Sequence, residues 1–346
     1  MVRFHLYILS PCTGHKGDKG REMNTKQSVL LVLNENAGRA VSGQELAQRL
    51  GVSRNSVWKA VTALKKEGYN ILSQTNQGYT LVNSIEVFDS EAINSYLSNS
   101  HPIYIYDSIS SSNVTAKELA QKGEDEGTTV VALSQSNGKG RMGRSFLSES
   151  KNGLYMSTIL RPQIPAHKCV NITVLGAVAV CEAIEELTSI PCQIKWVNDI
   201  YINDKKVCGI LTEASINFEC ASLEYAVIGI GVNICEPEGG FPQEISDIAT
   251  SIFKEKAPQN FKARLCAKIL EKLFYHYNKI EEKEYIDIYR KKSLIIGKSV
   301  SVHVGDKVIY GTAIDIDNDA CLVVKTNNGI EKFNSGEARV RKNESK

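Results

Sequence analysis

No stretch of this 346-residue chain is long and apolar enough to cross a bilayer. Val2–Leu9 is apolar in part, but Arg3 and His5 interrupt it, and it lacks the apolar centre of a secretory signal. Excess charge is missing too. The 41 Lys and Arg against 39 Asp and Glu leave a net charge of +2, too little to coat nucleic acid wholesale, so any DNA contact must be local. The nine cysteines are odd in number and include no C-x-x-C pair, which argues against a disulfide framework and for a reducing compartment. These absences predict a cytoplasmic protein with no membrane contact.

What remains is ordinary: 42% hydrophobic and 23% charged residues, enough chain for two or three domains, each with its own core. Gly14–Arg21 is polar and glycine-rich, and Met23 opens directly onto a helical pattern. Residues 1–22 are therefore expected to be a disordered tail.

From Lys26 three helical patterns follow one another. Ser42 with Glu45 makes a capping box ahead of Leu46, Ala47 and Leu50. Gly51-Val52-Ser53 is a tight turn, and Ser53 caps a third helix whose apolar stripe is Val57, Val61 and Leu64. Arg54, Asn55, Ser56, Lys59 and Thr62 face away from that stripe. Two short strands, Asn70–Ser73 and Gly78–Val82, make a β-wing. This is a winged helix-turn-helix, predicted for residues 23–84, with Arg54, Asn55, Ser56, Lys59 and Thr62 as its DNA-binding residues. Lys26, Arg39, Arg49, Arg54, Lys59, Lys65 and Lys66 outnumber Glu35, Glu45 and Glu67, so the positive excess is concentrated here. The bland alternative is a winged helix used for protein contacts. Binding as a dimer to a two-fold operator is the geometric expectation for the DNA reading. Residues 85–102 then read as a linker helix carrying Phe88, Ile93 and Leu97, stopped by His101-Pro102.

Beyond it, Thr128–Ser134 is a strand, followed by Asn137–Phe146, "NGKGRMGRSF", with Gly138, Gly140 and Gly143 spaced G-x-G-x-x-G. A dinucleotide-binding turn must open a helix. Here the chain runs instead into "LYMSTILRP", an alternating strand. A P-loop is excluded because Lys139 is followed by Gly140 rather than Ser or Thr. The plain alternative is a mobile basic hairpin. Three glycines among Lys139, Arg141 and Arg144 also form a strip of N–H groups and positive charge that can close over an anion.

His167–Leu187 reads as a core helix. Next comes "QIKWVNDIYINDKKVCGILTEA", in which Lys195 precedes a bend at Val197-Asn198-Asp199, and Lys206–Thr212 is the return strand of a hairpin. Lys195 is either a solvated strand lysine or a fixed charge for a phosphate or carboxylate. Tyr225–Val232 is a buried strand ending at Asn233. Asn260–Lys283 reads as a long amphipathic helix, and Lys298–Arg341 contains the short strands "KSVSVHV", "KVIYGTAIDI", "CLVVKT" and "IEKFNS" with glycine turns between them. The residues alone thus predict a mixed α/β domain that binds something anionic.

Those same residues carry a resemblance. "GKGRMGRSF" is similar to the G-R-G-R-x-G-R-x-W loop of biotin–protein ligases. "KWVND" followed by "GILTE" is similar to their K-W-P-N-D…G-I-L-x-E, and Ser111-Ser112-Asn113 resembles the Ser-Thr-Asn that opens the family's first catalytic helix. With a winged helix in front, the chain resembles the bifunctional ligase and biotin operon repressor class, from about residue 24 to the C-terminus. Lys139 stands in place of arginine, Ser112 of threonine, Val197 of proline and Phe146 of tryptophan.

The resemblance implies an α/β (α+β) multidomain chain: an N-terminal winged helix-turn-helix, a central mixed α/β catalytic domain (103–295) of the biotin/lipoate ligase type, and a C-terminal SH3-like β-barrel (296–346). It implies an ATP-dependent, AMP-forming biotin–[acetyl-CoA-carboxylase] ligase that makes biotinyl-5′-AMP. Biotin then passes to a lysine of biotin carboxyl carrier protein. Lys195 and Arg141 are implied as catalytic; Ser111, Ser112, Asn113, Gln135, Lys139, Gly140, Arg141 and Lys195 as biotin-binding; and Gly138, Arg144, Phe146, Asn233 and Arg341 as adenylate- or ATP-binding. Magnesium accompanies ATP rather than occupying a protein metal site. The adenylate is further implied as corepressor, favouring a homodimer on operator DNA. A ligase with an idle winged helix, a lipoate-type ligase and a non-catalytic sensor are the alternatives.

Overall fold

The computed structural model describes residues 25–66, 69–74, 77–82, 88–149, 151–217 and 221–341; the expected N-terminal tail lies outside them. The chain divides into two compact units, Met1–Ile85 and Glu86–Lys346.

In the first unit, α1 (Thr25–Glu35) buries Val29, Leu30, Val32 and Leu33. The second helix, α2 (Gly43–Leu50), begins at Ser42, whose hydroxyl accepts the Glu45 N–H at 3.0 Å, and ends on Gly51 in the left-handed region. Ser53 does the same for α3 (Arg54–Lys66), accepting the Ser56 N–H at 3.1 Å. Val57, Ala60, Val61 and Leu64 form the buried stripe of α3. Strands β1 (Ile71–Gln74) and β2 (Gly78–Leu81) pair antiparallel with Ile71 opposite Leu81. Three helices followed by a β-hairpin are the winged-helix arrangement the sequence predicts.

The second unit opens with α4 (Ser90–Asn94), capped by Asp89, which accepts the Ala92 N–H at 2.7 Å. This corrects the expected linker helix over 85–102. Residues 85–87 lie outside the described residues; among the described residues 88–102 only these five are helical, and Ile93 is fully buried in the core of the larger unit. The apolar periodicity at Phe88, Ile93 and Leu97 therefore reflects packing onto that core. Then follow β3 (Ile103–Tyr106), α5 (Ser112–Gln121), β4 (Thr129–Ala132), β5 (Gly153–Leu160), α6 (Val170–Thr188), β6 (Gln193–Lys195), β7 (Asp199–Ile202), β8 (Lys205–Asn217) and β9 (Ser222–Asn233). The strands form one sheet in the order β3-β4-β5-β9-β8-β7-β6. All neighbours are antiparallel except β3 and β4. The core helix α6 starts later than the expected His167, after a short 3₁₀ turn at Ala166–Lys168.

Helices α7 (Phe261–Asn278) and α8 (Glu284–Lys292) precede the C-terminal strands. The helix expected over Asn260–Lys283 ends sooner, at Asn278, and α8 follows as a separate helix that the sequence does not predict. Strands β10 (Ser299–Val304), β11 (Lys307–Ile316), β12 (Leu322–Thr326), β13 (Gly329–Phe333) and β14 (Glu337–Val340) form an antiparallel sheet in the order β13-β12-β11-β10-β14. The fifth strand, β14, was not anticipated. This sheet shares a continuous apolar core with the central one, in which Ile194, Trp196 and Tyr289 meet Val300, Val302, Leu322 and Val324. Trp196 Nε1 donates to the Ala320 carbonyl at 3.2 Å, and Tyr289 Oη to the Val197 carbonyl at 3.1 Å. No helix among the described residues is long and apolar enough to cross a membrane.

Candidate active site

The cleft of the second unit lies over strands β5, β9 and β8, with roughly 480 Å³ of open space. Its floor follows from two cross-strand rows. Tyr155, Gly231, Gly209 and Asp199 are register partners in turn across β5, β9, β8 and β7. One step along, Ser157 pairs with Gly229 and Gly229 with Leu211. The glycines keep the floor low. A Cβ on Gly231 would stand 2.6 Å from the Phe146 ring, and one on Gly229 would collide with the Asn113 carboxamide.

One wall is the start of α5. Ser111 is the N-cap residue but spends no side-chain hydrogen bond on capping, so its hydroxyl remains for the cleft. Ser111, Ser112, Asn113 and Gln135 are all buried and line the cleft. Gln135 Oε1 accepts the Ser112 N–H at 2.7 Å. Asn113 is wholly engaged below the surface: its Nδ2 donates to Glu213 Oε2 at 2.9 Å and to the Leu211 carbonyl at 3.3 Å. Burial opposes ionisation of Glu213, but hydrogen bonds from Lys117 and Asn113 hold its carboxyl below the ordinary value.

The glycine loop forms the other wall. Lys139 bridges to Ser145, the Gly140 N–H donates to the Arg144 carbonyl at 2.7 Å, and Met142 and Gly143 take positive φ at the tip. Lys139, Gly140, Arg141 and Phe146 line the cleft. Gly138 is packed against Phe146 and Ser148 at the base of the loop. Arg141 donates to Asn198 Oδ1 at 3.2 Å and to the Gly336 carbonyl at 3.3 Å. Burial draws its guanidinium below the ordinary value, opposed by Asp199. Arg144 turns outward to a two-point pairing with Glu337, 2.6 and 3.3 Å. That pairing, offset by burial and reinforced by Arg339, lowers the Glu337 carboxyl to about 2.

A second lysine of this cleft, besides Lys139, is Lys206. It lines the cleft, and its Nζ lies 2.7 Å from Asp199 Oδ1. Lys195 does not line it. Lys195 faces Asp199 from β6, the edge strand, two strands beyond β8 and so about 10 Å away at the backbone. Its Nζ is 5.7 Å from the Tyr201 ring centroid. Asn233 and Arg341 also stand outside the cleft: Asn233 Nδ2 donates to the Thr250 carbonyl at 2.9 Å, and the Arg341 guanidinium stacks over Tyr310 at 5.1 Å. Lys206, Asn198 and Tyr155 are cleft residues that the sequence reading missed.

In the first unit, Arg54, Asn55 and Lys59 are exposed on α3, with Ser56 and Thr62 half-buried. Ser56 Oγ lies 2.8 Å from Ser53 Oγ, and Thr62 donates to the Trp58 carbonyl at 2.8 Å, so both hydroxyls are tied to their own helix. The same face carries Trp58, 56% exposed and not singled out from the sequence.

A family model described as "Biotin/lipoate A/B protein ligase family" matches residues 105–233, one for "HTH domain" matches 25–80, and one for "Biotin protein ligase C terminal domain" matches 295–341. Bifunctional ligase/repressor BirA of Bacillus subtilis is 37% identical over 91% of this chain and 98% of its own length. The chain belongs to the biotin protein ligase family. The ligase is also similar to the Escherichia coli protein of the same name, at 25% identity over 92% of this chain and 98% of that one. Among solved structures, "Biotin protein ligase from Aquifex aeolicus in complex with biotin and ATP" superposes with a TM-score of 0.58 at 28% identity, covering 70% of this ligase and 99% of that chain.

Proposed function

We propose that the chain activates biotin with ATP and transfers it to a lysine of a biotin carboxyl carrier protein, and that it represses transcription through its winged helix, with biotinyl-5′-AMP as corepressor. The observation that carries the catalytic reading is the convergence, in one glycine-floored cleft, of Ser112, Gln135, Lys206, Arg141 and Phe146.

Both nucleophiles in this reaction arrive with substrates: the biotin carboxylate attacks the α-phosphorus of ATP and expels pyrophosphate, and the carrier lysine amine then attacks the carbonyl of the mixed anhydride, expelling AMP and releasing a proton as the amide forms. The chain has to position and to stabilise charge. Lys206 supplies a compact positive charge for the biotin carboxylate and α-phosphate, the role the sequence reading gave to Lys195. Arg141, already turned toward Asn198 beside it, supplies the second. Ser111, Ser112 and Gln135 hold the ureido ring, with Asn113 acting from beneath; Lys139 and Gly140 close over the bound acid. Phe146 offers a flat apolar surface for adenine, and Gly138 and Arg144 set the loop around it. Asn233 and Arg341, both outside the cleft, reach the nucleotide only if the bound state draws them in. Magnesium, carried by the triphosphate, neutralises phosphate charge.

Residues 23–84 are the DNA-binding part, 103–295 the catalytic part and 296–346 its C-terminal sheet. Arg54, Asn55 and Lys59 are the first candidates for operator contact, with Ser56 and Thr62 nearby. A homodimer favoured by the adenylate, in the cytoplasm, completes the proposal; sedimentation with and without adenylate tests it, and an unchanged dimer constant refutes it.

Isotope exchange between pyrophosphate and ATP, with biotin, with lipoate and with neither, tests the chemistry. Exchange that depends on biotin alone is expected. Exchange with lipoate instead would transfer the assignment to a lipoate ligase, and none with either acid would leave a non-catalytic sensor.

A further inference from the structure

Of the two tryptophans in the chain, one stands where the fold does not need it. Trp196 is 3% exposed in the core of the larger unit, whereas Trp58, on α3, is 56% exposed. The stripe that seats α3 is complete without it, since Val57, Ala60, Val61 and Leu64 are all buried. Among the described residues of α3, Trp58 is the one large apolar side chain left exposed. A single exposed apolar residue is ordinary on a protein surface; what sets this one apart is its place. Arg54 and Asn55, at i−4 and i−3, share its stretch of helix surface, and Lys59 follows it; all three are exposed.

Other polar side chains of α3 are already committed. Ser56 Oγ lies 2.8 Å from Ser53 Oγ, Thr62 Oγ1 donates to the Trp58 carbonyl at 2.8 Å, and Lys65 Nζ donates to Ser73 Oγ on β1 at 2.8 Å. The first two turns of α3 therefore present Arg54, Asn55, Trp58 and Lys59. Arginine and lysine donate to guanine O6 and N7, and asparagine pairs with adenine N6 and N7. None of them recognises the 5-methyl group of thymine, which asks for an apolar surface. The indole is such a surface. Helical side chains lean toward the N-terminus, which is the base-reading end of a recognition helix, so the ring is carried toward the bases.

We propose that Trp58 is a specificity-determining residue of the winged helix. Its indole packs on thymine 5-methyl groups in the major groove, so the operator half-site carries thymine beside the bases that Arg54 and Asn55 address. This rests on the reading of the first unit as a DNA-binding module. Charge favours DNA over a protein as the occupant of this face, because α3 carries Arg54, Lys59, Lys65 and Lys66 and no acidic residue.

The test uses the full-length protein, supplied with biotin and ATP, and a duplex that it selects from a randomised library. Each thymine of that duplex is replaced in turn by uracil, which removes the 5-methyl group and leaves every hydrogen-bonding atom in place. Wild type is expected to lose about fourfold in affinity for each methyl group the indole buries. Trp58→Ala should bind the thymine duplex at least about tenfold more weakly and should no longer distinguish uracil from thymine at those positions. Its salt slope should match wild type, because no phosphate contact is lost. Its unfolding temperature should also match, because alanine suits a helix and the buried stripe is untouched. Trp58→Phe should still prefer thymine. A wild type indifferent to uracil at every position overturns the proposal while the DNA reading stands, as does a Trp58→Ala protein penalised by uracil as strongly as wild type. Failure to select any duplex is a separate result: it removes the DNA reading of the first unit, and this proposal with it, in favour of a protein partner.

Discussion

Replacing Lys206 and Lys195 in turn separates two assignments that the sequence left entangled. Lys206 lines the cleft with its Nζ 2.7 Å from Asp199 Oδ1, whereas Lys195 stands on the edge strand. A unit charge about 4 Å from a developing oxyanion, at an effective dielectric constant of about 20, is worth about 4 kcal/mol. Part of that is exchange rather than gain, because Lys206 already faces the Asp199 carboxylate and both side chains are partly exposed, 33% and 22%. The remainder should be about 3 kcal/mol, similar to the loss of one preorganised donor in other acyl-transfer sites. Lys206→Ala is therefore expected to slow biotin-dependent pyrophosphate exchange by about 10² to 10³ with unfolding temperature nearly unchanged. Lys195→Ala should stay within about twofold. Equal losses in the two variants, or a Lys206→Ala enzyme within about threefold of wild type, would show that the charge acting on the substrate is not the one in the cleft.

Gly231→Ala brings a methyl group within 2.6 Å of the Phe146 ring; at an overpacking cost of about 1 to 3 kcal/mol, the KM for ATP should rise about tenfold, and an unchanged KM would show that the ring does not serve the nucleotide. Glu337 has its carboxyl lowered from 4.5 to about 2, first by Arg144, so its stabilising contribution is complete above about pH 4.5 and is lost as pH falls toward 2. The pair is partly exposed, and its contribution should be no more than about 1 kcal/mol. The difference in unfolding temperature between wild type and Glu337→Gln should narrow from pH 7 to pH 3, and a constant difference refutes the assignment. Lys59→Ala should weaken operator binding and reduce its salt slope by about 1, leaving pyrophosphate exchange intact; an unaltered slope would take Lys59 off the phosphate backbone.

The winged helix was legible because its signals are local. Ser42, Gly51 and Ser53 cap or end helices using atoms within four residues, and such chemistry survives in sequence without knowledge of the fold. The expected linker helix was not legible for the opposite reason: the apolar spacing at Phe88, Ile93 and Leu97 answers to distant α7 and the common core rather than to helical periodicity. The C-terminal strands were read from alternation and glycine turns, except β14. That strand is four residues long and half exposed, too short for alternation to distinguish it from a loop.

Within the cleft, Ser111, Ser112, Asn113, Gln135, Lys139, Gly140, Arg141 and Phe146 were all named from the sequence and are brought together. Lys206 was passed over, and a β-bulge explains why. Between Ile200 and Tyr201 the pairing of β7 with β8 skips Val207. Strict alternation back from Gly209, a floor residue, would put Val207 on the cleft face and Lys206 on the core face beside Cys208. The extra residue reverses this: Val207 and Cys208 are both fully buried, and Lys206 is turned into the cleft. A bulge leaves no residue-type signature in "NDKKVCGIL", where period-two counting fails without warning. Lys195 met the sequence criteria better because Ile194 and Trp196 flank it in clean alternation. Its side chain does emerge on the same row as Gly209 and Gly231, since Lys195 pairs with Asp199 and Asp199 with Gly209. Face and row were legible, but distance along the row was not, because strand order is a property of the whole sheet.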